Sequence, residues 1–401
     1  MDKYLRQVPD GVEDCLPAEC RIKRNMEGAL RSVFFASGFD EVETPTYEFY
    51  DVFQSGVGAY MQESMIKFMD AKGRILVLRP DITVPIARLA ATRMDPNTVK
   101  RLFYIQNSFA AAQPAIGRAG EFTQAGVELI GDGRCSADAE VIALAIKALK
   151  TCGLETFTID VGQVAYFKAL ISDMGLEDAE AERLRHAVDA KDLLAVKAIA
   201  EDLKLGSDAR AQISALPELF GGPEVFDRAL SLTDNRSCAA AVENLRAVYD
   251  TLAEYGLASW LSIDFGMLHD IAYYSGMIFR GITPSIGFPV VSGGRYDDLF
   301  AKFGNPAPAT GFALGIKRVM IAMERQGLLK GSSDTDTVVS CDSSYGGKAY
   351  AWAEALRSEG RRVLFSPGLS KEALTALKHS SGARAAVYIE SDGTVSQEGC
   401  Q

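Results

Sequence analysis

Histidine is scarce in this chain: three histidines occur in 401 residues, and they lie far apart. The seven cysteines, at positions 15, 20, 135, 152, 238, 341 and 400, are odd in number, and none forms a CxxC pair. Zinc sites combine closely spaced cysteine and histidine ligands. The sequence therefore predicts no metal site, and its unpaired cysteines favour a reducing compartment.

Long apolar runs are also missing. No stretch of 18 apolar residues is present, which argues against a membrane-spanning helix, and the opening MDKYLRQVPDGVED lacks the apolar core of a signal peptide. We therefore expect a cytoplasmic protein that does not bind membranes. Lys and Arg number 42 against 53 Asp and Glu, a net charge of −11, which disfavours nucleic-acid binding but leaves room for a local basic patch.

Several catalytic and nucleotide-binding motifs are absent as well. The chain contains no GxxxxGK[ST], no GxGxxG between a strand and a helix, no GxSxG and no HExxH. These motifs build phosphate cradles, nucleophile elbows and zinc protease sites. Their absence predicts no cofactor of the common classes.

Hydrophobic periodicity predicts an alternation of helices and strands in the first 165 residues and again from residue 260. The predicted helices cover 18–37, 84–94, 137–150 and about 313–326. The predicted strands cover 75–79, 103–109, 121–131, 156–162, 260–266, 274–281 and 288–294.

Two other segments differ in character. Residues 168–257 are rich in Ala, Leu and Glu with 3-4-3 apolar spacing, which predicts a helical insertion. After a polar linker, residues 335–401 predict a small α/β domain, with strands at 338–341, 361–365 and 384–390 and helices at 347–359 and 370–379.

Polar residues interrupt otherwise apolar predicted strands. Gln124 and Glu128 lie four apart, so both face the same side of a sheet. One interpretation is an exposed sheet face, or an internal ion pair of Glu128 with Arg79 or Arg295. The other is a binding site, because a buried carboxylate needs partners.

Five segments, in this order, resemble the histidyl branch of the class II aminoacyl-tRNA synthetases. They are FDEVETPTYEFYDVF (39–53), LRPDITVPIAR (78–88), GRAGEFTQAGVELIG (117–131), YYSGMIFRG (273–281), and GGRYDDL (293–299) followed by TGFALGIKRVM (310–320). The resemblance covers residues 1–325. It implies an α+β fold in which an antiparallel sheet is flanked by helices, with 168–257 as the insertion and 335–401 as a shortened anticodon-binding domain.

The resemblance also implies roles for individual residues. Asp81, Thr83 and Gln124 would accept hydrogen bonds from the α-ammonium of histidine. Glu128 and a tyrosine, Tyr273 or Tyr274, would pair with the imidazole nitrogens. Arg318 would meet the terminal phosphate of ATP.

Two positions depart from the synthetase pattern. Ala110 stands where an arginine grips the α-phosphate of ATP, and His269 stands where an arginine contacts the substrate carboxylate. A neutral imidazole does not replace a permanent bidentate cation, and a histidine at position 269 is also compatible with a purely structural role. Arg101 and Arg118 are alternative cations, although neither occupies the matching position. The two losses predict a fold that has lost adenylation and has no catalytic residues of its own.

These departures resemble the regulatory subunits of ATP phosphoribosyltransferase, paralogues of histidyl-tRNA synthetase. Such a resemblance implies a short catalytic chain as partner, histidine as effector in the first step of histidine biosynthesis, and homodimerisation within a hetero-octamer. Binding of tRNA is not expected, because the basic residues after 335 are interspersed with acids. The alternatives are an active histidyl-tRNA synthetase and a synthetase-like regulator with another partner.

Overall fold

The computed structural model describes residues 5–54, 63–111, 120–268, 274–284, 286–329 and 335–399. The chain divides into two compact units, Met1–Leu328 and Leu329–Gln401. In the described ranges, no helix is both long and apolar enough to span a bilayer.

A nine-stranded sheet dominates the first unit. Its spatial order is β1-β5-β6-β12-β11-β10-β7-β9-β8, and a separate sheet has the order β2-β4-β3. The strands are β1 (Asp40–Glu41), β2 (Tyr47–Phe49), β3 (Lys67–Met69), β4 (Ile75–Leu78), β5 (Lys100–Phe109), β6 (Glu121–Ile130), β7 (Thr158–Gln163), β8 (Phe220–Gly221), β9 (Leu261–Asp264), β10 (Met277–Ile282), β11 (Val291–Arg295) and β12 (Ala309–Gly315).

Helices flank this sheet. Those of the first unit are α1 (Pro17–Ala36), α2 (Tyr50–Gln54), α3 (Thr83–Arg93), α4 (Cys135–Thr151), α5 (Val164–Met174), α6 (Asp178–Asp189), α7 (Leu193–Asp202), α8 (Ser207–Ala215), α9 (Glu224–Ser231), α10 (Arg236–Glu254), α11 (Asp298–Ala301) and α12 (Ile316–Arg325). Where the sequence predicts a helical insertion over 168–257, the chain forms the run of helices from α5 to α10, interrupted by the short strand β8.

The predicted sheet is antiparallel, but the observed sheet is mixed. Strand β1 pairs in parallel with β5, and β7 pairs in parallel with β9, while the other neighbours in the main sheet are antiparallel. The second parallel pair has a simple cause. The helical insertion lies between β7 and β9 in sequence, and such a long crossover allows the chain to re-enter the sheet in the same direction.

Strand β12 corrects a second expectation. The sequence predicts a helix starting near Ala313, whereas Ala309–Gly315 is a strand and α12 begins at Ile316. Six of the seven residues in ATGFALG are apolar or small, and they fit either structure by pattern alone, which is the usual ambiguity of short buried segments. The strand is central, since it pairs with both β6 and β11.

The second unit has its own sheet of order β14-β13-β15-β16. Its elements are β13 (Thr337–Cys341), α13 (Gly346–Ser358), β14 (Val363–Phe365), α14 (Lys371–Ser381), β15 (Ala385–Ile389) and β16 (Val395–Glu398). The final antiparallel strand β16 is absent from the sequence-based prediction, because VSQE has too little apolar alternation to indicate a strand.

Candidate functional site: a polar cavity on the central sheet

A cavity of about 190 Å³ lies where β6 and β12 meet the start of α3 and the start of α12. This volume is smaller than the roughly 300–1,000 Å³ of sites for drug-sized ligands, and it suits a ligand the size of an amino acid. Six residues predicted from the sequence line it: Asp81, Thr83, Gln124, Glu128, Tyr274 and Arg318. Tyr273 and His269, the other two predicted positions in this region, lie outside the described residues.

Glu128 is the most buried acid of the cavity, with 1% of its surface exposed. Thr83 Oγ1 donates to Glu128 Oε1 at 2.7 Å, and the hydroxyl of Tyr296 donates to Glu128 Oε2. Both carboxylate oxygens therefore have hydroxyl partners from outside β6. The register explains the room for this group, because Glu128 lies opposite Gly311 on β12, where a side chain would overlap with Glu128 Oε2.

Burial raises the pKa of Glu128 to about 8, and the nearby charge of Asp81 acts in the same direction. The hydrogen bonds from Tyr296 and Thr83 favour the charged form, but they are too weak to offset the desolvation. In the absence of a cation, Glu128 is therefore a neutral acid at pH 7.

Two further tyrosines surround this acid. Tyr104 and Tyr274 are 1% and 6% exposed, and burial raises the pKa of each well above its ordinary value. Proximity to Glu128 and Asp81 raises these two pKa values further. Both rings are therefore neutral phenols that offer the cavity a hydroxyl group and an apolar wall.

The two remaining polar side chains are oriented by neighbours. Asp81 Oδ1 accepts from the backbone N–H of Val84 at 2.8 Å in the first turn of α3. Gln124 Oε1 accepts from Ser108 Oγ at 2.7 Å across the β5–β6 pair. Since its carbonyl oxygen is directed at Ser108, the amide of Gln124 has a defined orientation beside the cavity.

An ion pair between Glu128 and an arginine, one of the alternatives left open by the sequence, is wrong. Arg79 donates to the backbone carbonyls of Thr44 at 2.5 Å and Asn107 at 2.7 Å. Arg295 pairs with Asp138 at 2.9 Å on the other side of the sheet. Both arginines stabilise backbone and helix packing, and Glu128 faces the cavity without a cationic partner among the residues described.

Positive charge is sparse around the cavity. Of the described residues that line it, Arg318 alone is cationic. Its Nη1 donates to the carbonyl of Pro289 at 3.0 Å, and its guanidinium lies 5.3 Å from the centre of the Phe288 ring. Arg101, one proposed substitute for the missing arginine, pairs with Glu140 at 2.9 Å and does not line the cavity, while Arg118 lies outside the described residues.

Ala110 follows the end of β5, where its backbone N–H donates to the carbonyl of Gly120 at 2.9 Å. A methyl group at this position supplies no charge for a phosphate. Among the described residues, no group of three or more His, Cys, Asp or Glu side chains is arranged to hold a metal ion.

Among the lining residues that sequence reasoning missed are two tyrosines, Tyr104 and Tyr296. Tyr104 lies within the apolar run of β5, where the sequence pattern indicates an ordinary core residue. Tyr296 stands in the GGRYDDL segment that carries part of the resemblance. Its position directly after Arg295, just past the end of the buried strand β11, was a usable signal.

Known proteins with similar sequences include histidyl-tRNA synthetases and ATP phosphoribosyltransferase regulatory subunits. The family model for histidyl-tRNA synthetase matches residues 11–319. An ATP phosphoribosyltransferase regulatory subunit from Acetivibrio thermocellus is 47% identical over 365 residues, which cover 90% of this chain and 87% of that protein. The protein of the same name from Ruminiclostridium cellulolyticum is 42% identical, with 90% and 87% covered.

Solved structures show the same relationship. A Bacillus halodurans C protein described as an ATP phosphoribosyltransferase regulatory subunit/histidyl-tRNA synthetase superposes with a TM-score of 0.84 at 33% identity, covering 97% of this chain and 99% of the other. A histidyl-tRNA synthetase from Nostoc sp. PCC 7120 superposes with a TM-score of 0.83 at 18% identity, covering 99% and 97%. The second match concerns the fold alone, and together they confirm the predicted class II synthetase-like architecture.

Proposed function

Since this chain belongs to the family of ATP phosphoribosyltransferase regulatory subunits, we propose that it activates a short catalytic phosphoribosyltransferase chain and mediates feedback inhibition by histidine. In this proposal the chain performs no chemistry itself and acts in the first step of histidine biosynthesis. It assembles as a homodimer within a hetero-octamer. Activation and feedback inhibition are linked by one coupling free energy. An effector that binds one state of the complex more tightly shifts the complex toward that state.

The observation that carries the effector role is the buried Glu128 on the floor of the cavity. Thr83 and Tyr296 hold its carboxylate, and Tyr274 lies beside it. A buried acid surrounded by hydroxyl groups is a recognition site for a ligand with polar hydrogens. The imidazole ring of histidine would occupy this position, with its α-ammonium toward Asp81, Thr83 and Gln124.

Protonation favours an imidazole in particular. The free imidazole of histidine has a pKa of about 6.5, so at pH 7 it is mostly neutral and carries one bare nitrogen. Glu128, with a pKa of about 8, still holds its proton at that pH. The O–H of this acid can donate a hydrogen bond to the bare nitrogen, and this pairing of two neutral groups needs no proton from solvent.

The charges support the proposed absence of synthetase chemistry. Ala110 offers no cation to an α-phosphate, and Arg318 is the vestige of an ATP site. Losing one preorganised charge at a developing transition state costs about 3–4 kcal/mol. With Ala110 in one arginine position and His269 in the other, activation of an amino acid by ATP would lack both charges.

The experiment is a titration of this chain into the short catalytic chain from the same organism, with phosphoribosyl-ATP formation measured with and without histidine. Activity should rise with added chain, and histidine should suppress it. No change in activity would contradict the partner assignment. Histidine-dependent ATP–pyrophosphate exchange by this chain alone would contradict its non-catalytic role and favour an active synthetase.

A second experiment tests where histidine binds. Glu128→Ala should abolish the heat of histidine binding in calorimetry on the purified chain, because it removes the acid and leaves Thr83 and Tyr296 without their acceptor. Glu121→Ala is the matched control, since Glu121 lies exposed on the same strand, where it accepts a hydrogen bond from Asn107. Equal heats for wild type and Glu128→Ala would place the histidine site elsewhere.

A further inference from the structure

The helical insertion contacts the chain at two places near the cavity. The first is the turn that follows β9, and the second is the backbone at Tyr274, whose side chain is buried beside Glu128. The turn, residues 264–268, lies at the edge of the main sheet, and Met267 belongs to the same apolar cluster as Tyr274. A displacement of this turn would therefore move the wall of the cavity.

The end of α6 and the loop that follows it hold the first of these places. Asp189 Oδ1 accepts from the backbone N–H of Leu268 at 2.8 Å. Lys191 Nζ pairs with Asp264 Oδ1 at 2.5 Å, and the same Asp264 oxygen accepts from the backbone N–H of Gly266 at 2.9 Å. The turn is thus bonded to the insertion through a side chain and a backbone amide.

The turn packs tightly against the insertion at Gly266. A β-carbon at Gly266 would overlap with the carbonyl oxygen of Leu216 and lie 2.6 Å from Lys191 Nζ, both in the insertion. Phe265 is buried and packs against Tyr166 of α5 at 5.0 Å between ring centres and against Phe226 of α9 at 6.4 Å. The turn therefore has little freedom to shift unless the insertion shifts with it.

Helix α5 holds the second of these places, the backbone at Tyr274. Lys168 Nζ donates to the backbone carbonyl of Tyr274 at 2.8 Å. A few residues later, the backbone N–H of Val164 donates to the carbonyl of Gly276 at 3.1 Å. Helix α5 thus bonds to the backbone at Tyr274 and at Gly276.

We propose that Asp189 and Lys168 are positioning residues through which the helical insertion sets the affinity of the cavity for its ligand. They touch no ligand, and they act by holding the backbone at Leu268 and Tyr274. This inference rests on the proposed function, since histidine is the ligand used to test it.

The test compares histidine affinity by calorimetry on the full chain for Asp189→Ala and Asp189→Asn. The amide oxygen of asparagine can still accept from Leu268, so Asp189→Asn should bind within about twofold of wild type, whereas Asp189→Ala should bind about tenfold more weakly. Lys168→Met should weaken binding about threefold, since this lysine is more exposed. The matched control is Asp202→Ala, which removes an exposed ion pair with Arg183 in the same two helices and should leave affinity unchanged.

A readout in the assembled complex separates positioning from general destabilisation. Asp189→Ala should raise the histidine concentration needed for half-inhibition by about tenfold, while activation of the catalytic chain without histidine stays at the wild-type level. Wild-type affinity in both Asp189→Ala and Lys168→Met would overturn the inference alone. An equal loss in Asp189→Ala and Asp189→Asn would also overturn it, and absence of histidine binding by the wild-type chain would overturn both the effector role and this inference.

Discussion

Two regions of the same sheet, the floor of the cavity around Glu128 and the end of β5 at Ala110, differ sharply in polarity. The floor holds a buried acid with two hydroxyl donors and two neutral tyrosines beside it. The end of β5 carries a methyl group and backbone hydrogen bonds. Burying an acid costs free energy even when it is hydrogen-bonded, so the contrast supports the proposal of a chain that binds a small polar molecule without activating it.

The largest expected effect comes from filling the space beside Glu128. Gly311→Ala places a methyl group against Glu128 Oε2 and the carbonyl oxygen of Val127, both of which belong to the neighbouring central strand. We expect a loss of about 3 kcal/mol or more in the free energy of unfolding, together with loss of histidine binding. Chemical denaturation measures the first quantity and calorimetry the second.

Gly28→Ala is the control for that substitution. Gly28 lies exposed inside α1 with nothing within 4 Å of an added β-carbon, so alanine should stabilise the helix by about 0.5–1 kcal/mol. A wild-type stability for Gly311→Ala would show that β6 and β12 separate easily, which would contradict a preformed cavity.

The second effect concerns the pH dependence of stability. The native pKa of Glu128 is about 8 against an ordinary value of 4.5, so between these pH values the native state holds a proton that the unfolded state has lost. Stability is therefore fully present below pH 4.5 and declines as pH rises toward 8, by an amount on the order of a few kcal/mol from this group. Glu128→Gln does not titrate and should show a flatter decline.

Thermal unfolding of wild type and Glu128→Gln at several pH values from 5 to 8.5 measures this difference. The gap between the two melting temperatures should shift in favour of the glutamine variant as pH rises. A constant gap over the whole range would mean that Glu128 is already ionised in the native protein at neutral pH.

A smaller effect is expected from the donor that sequence reasoning missed. Tyr296→Phe removes one hydroxyl that stabilises the charged form of Glu128, so the pKa of Glu128 should rise further. The carboxyl group of Glu128 also loses a hydrogen-bond partner that holds it in place, and histidine should bind about tenfold more weakly. Calorimetry at pH 7.5 measures this loss, and Tyr350→Phe, at an exposed tyrosine of the second unit, should have no effect.

The smallest effect is expected at the end of β5, the second region of the comparison. Ala110→Arg restores one cation at the end of β5, but position 269 still carries histidine. We expect no ATP–pyrophosphate exchange, a stability within about 0.5 kcal/mol of wild type, and unchanged histidine affinity. Measurable exchange by this single variant would show that the rest of an adenylation site is intact.

How far the sequence predicts this molecule depends on the range of the interactions involved. The helices and most strands follow from local periodicity, and the alternation in β6 is enough to place Gln124 and Glu128 on one face. Strand β12 and the parallel pair of β7 with β9 escape that reasoning. Their conformation is decided by neighbouring strands, because a short apolar segment fits a helix or a strand equally well until its partners are in place.

The same division applies to the site. Composition and pattern, with the resemblance they support, determine the order of the elements, the residues that face the cavity, and the absence of an arginine at position 110. Only the tertiary structure decides that Glu128 is held by Thr83 and Tyr296, which lie 45 and 168 residues away in sequence. Its raised pKa is decided there too, because burial and partner geometry depend on the register of β5, β6 and β12, and register is a property of the assembled sheet.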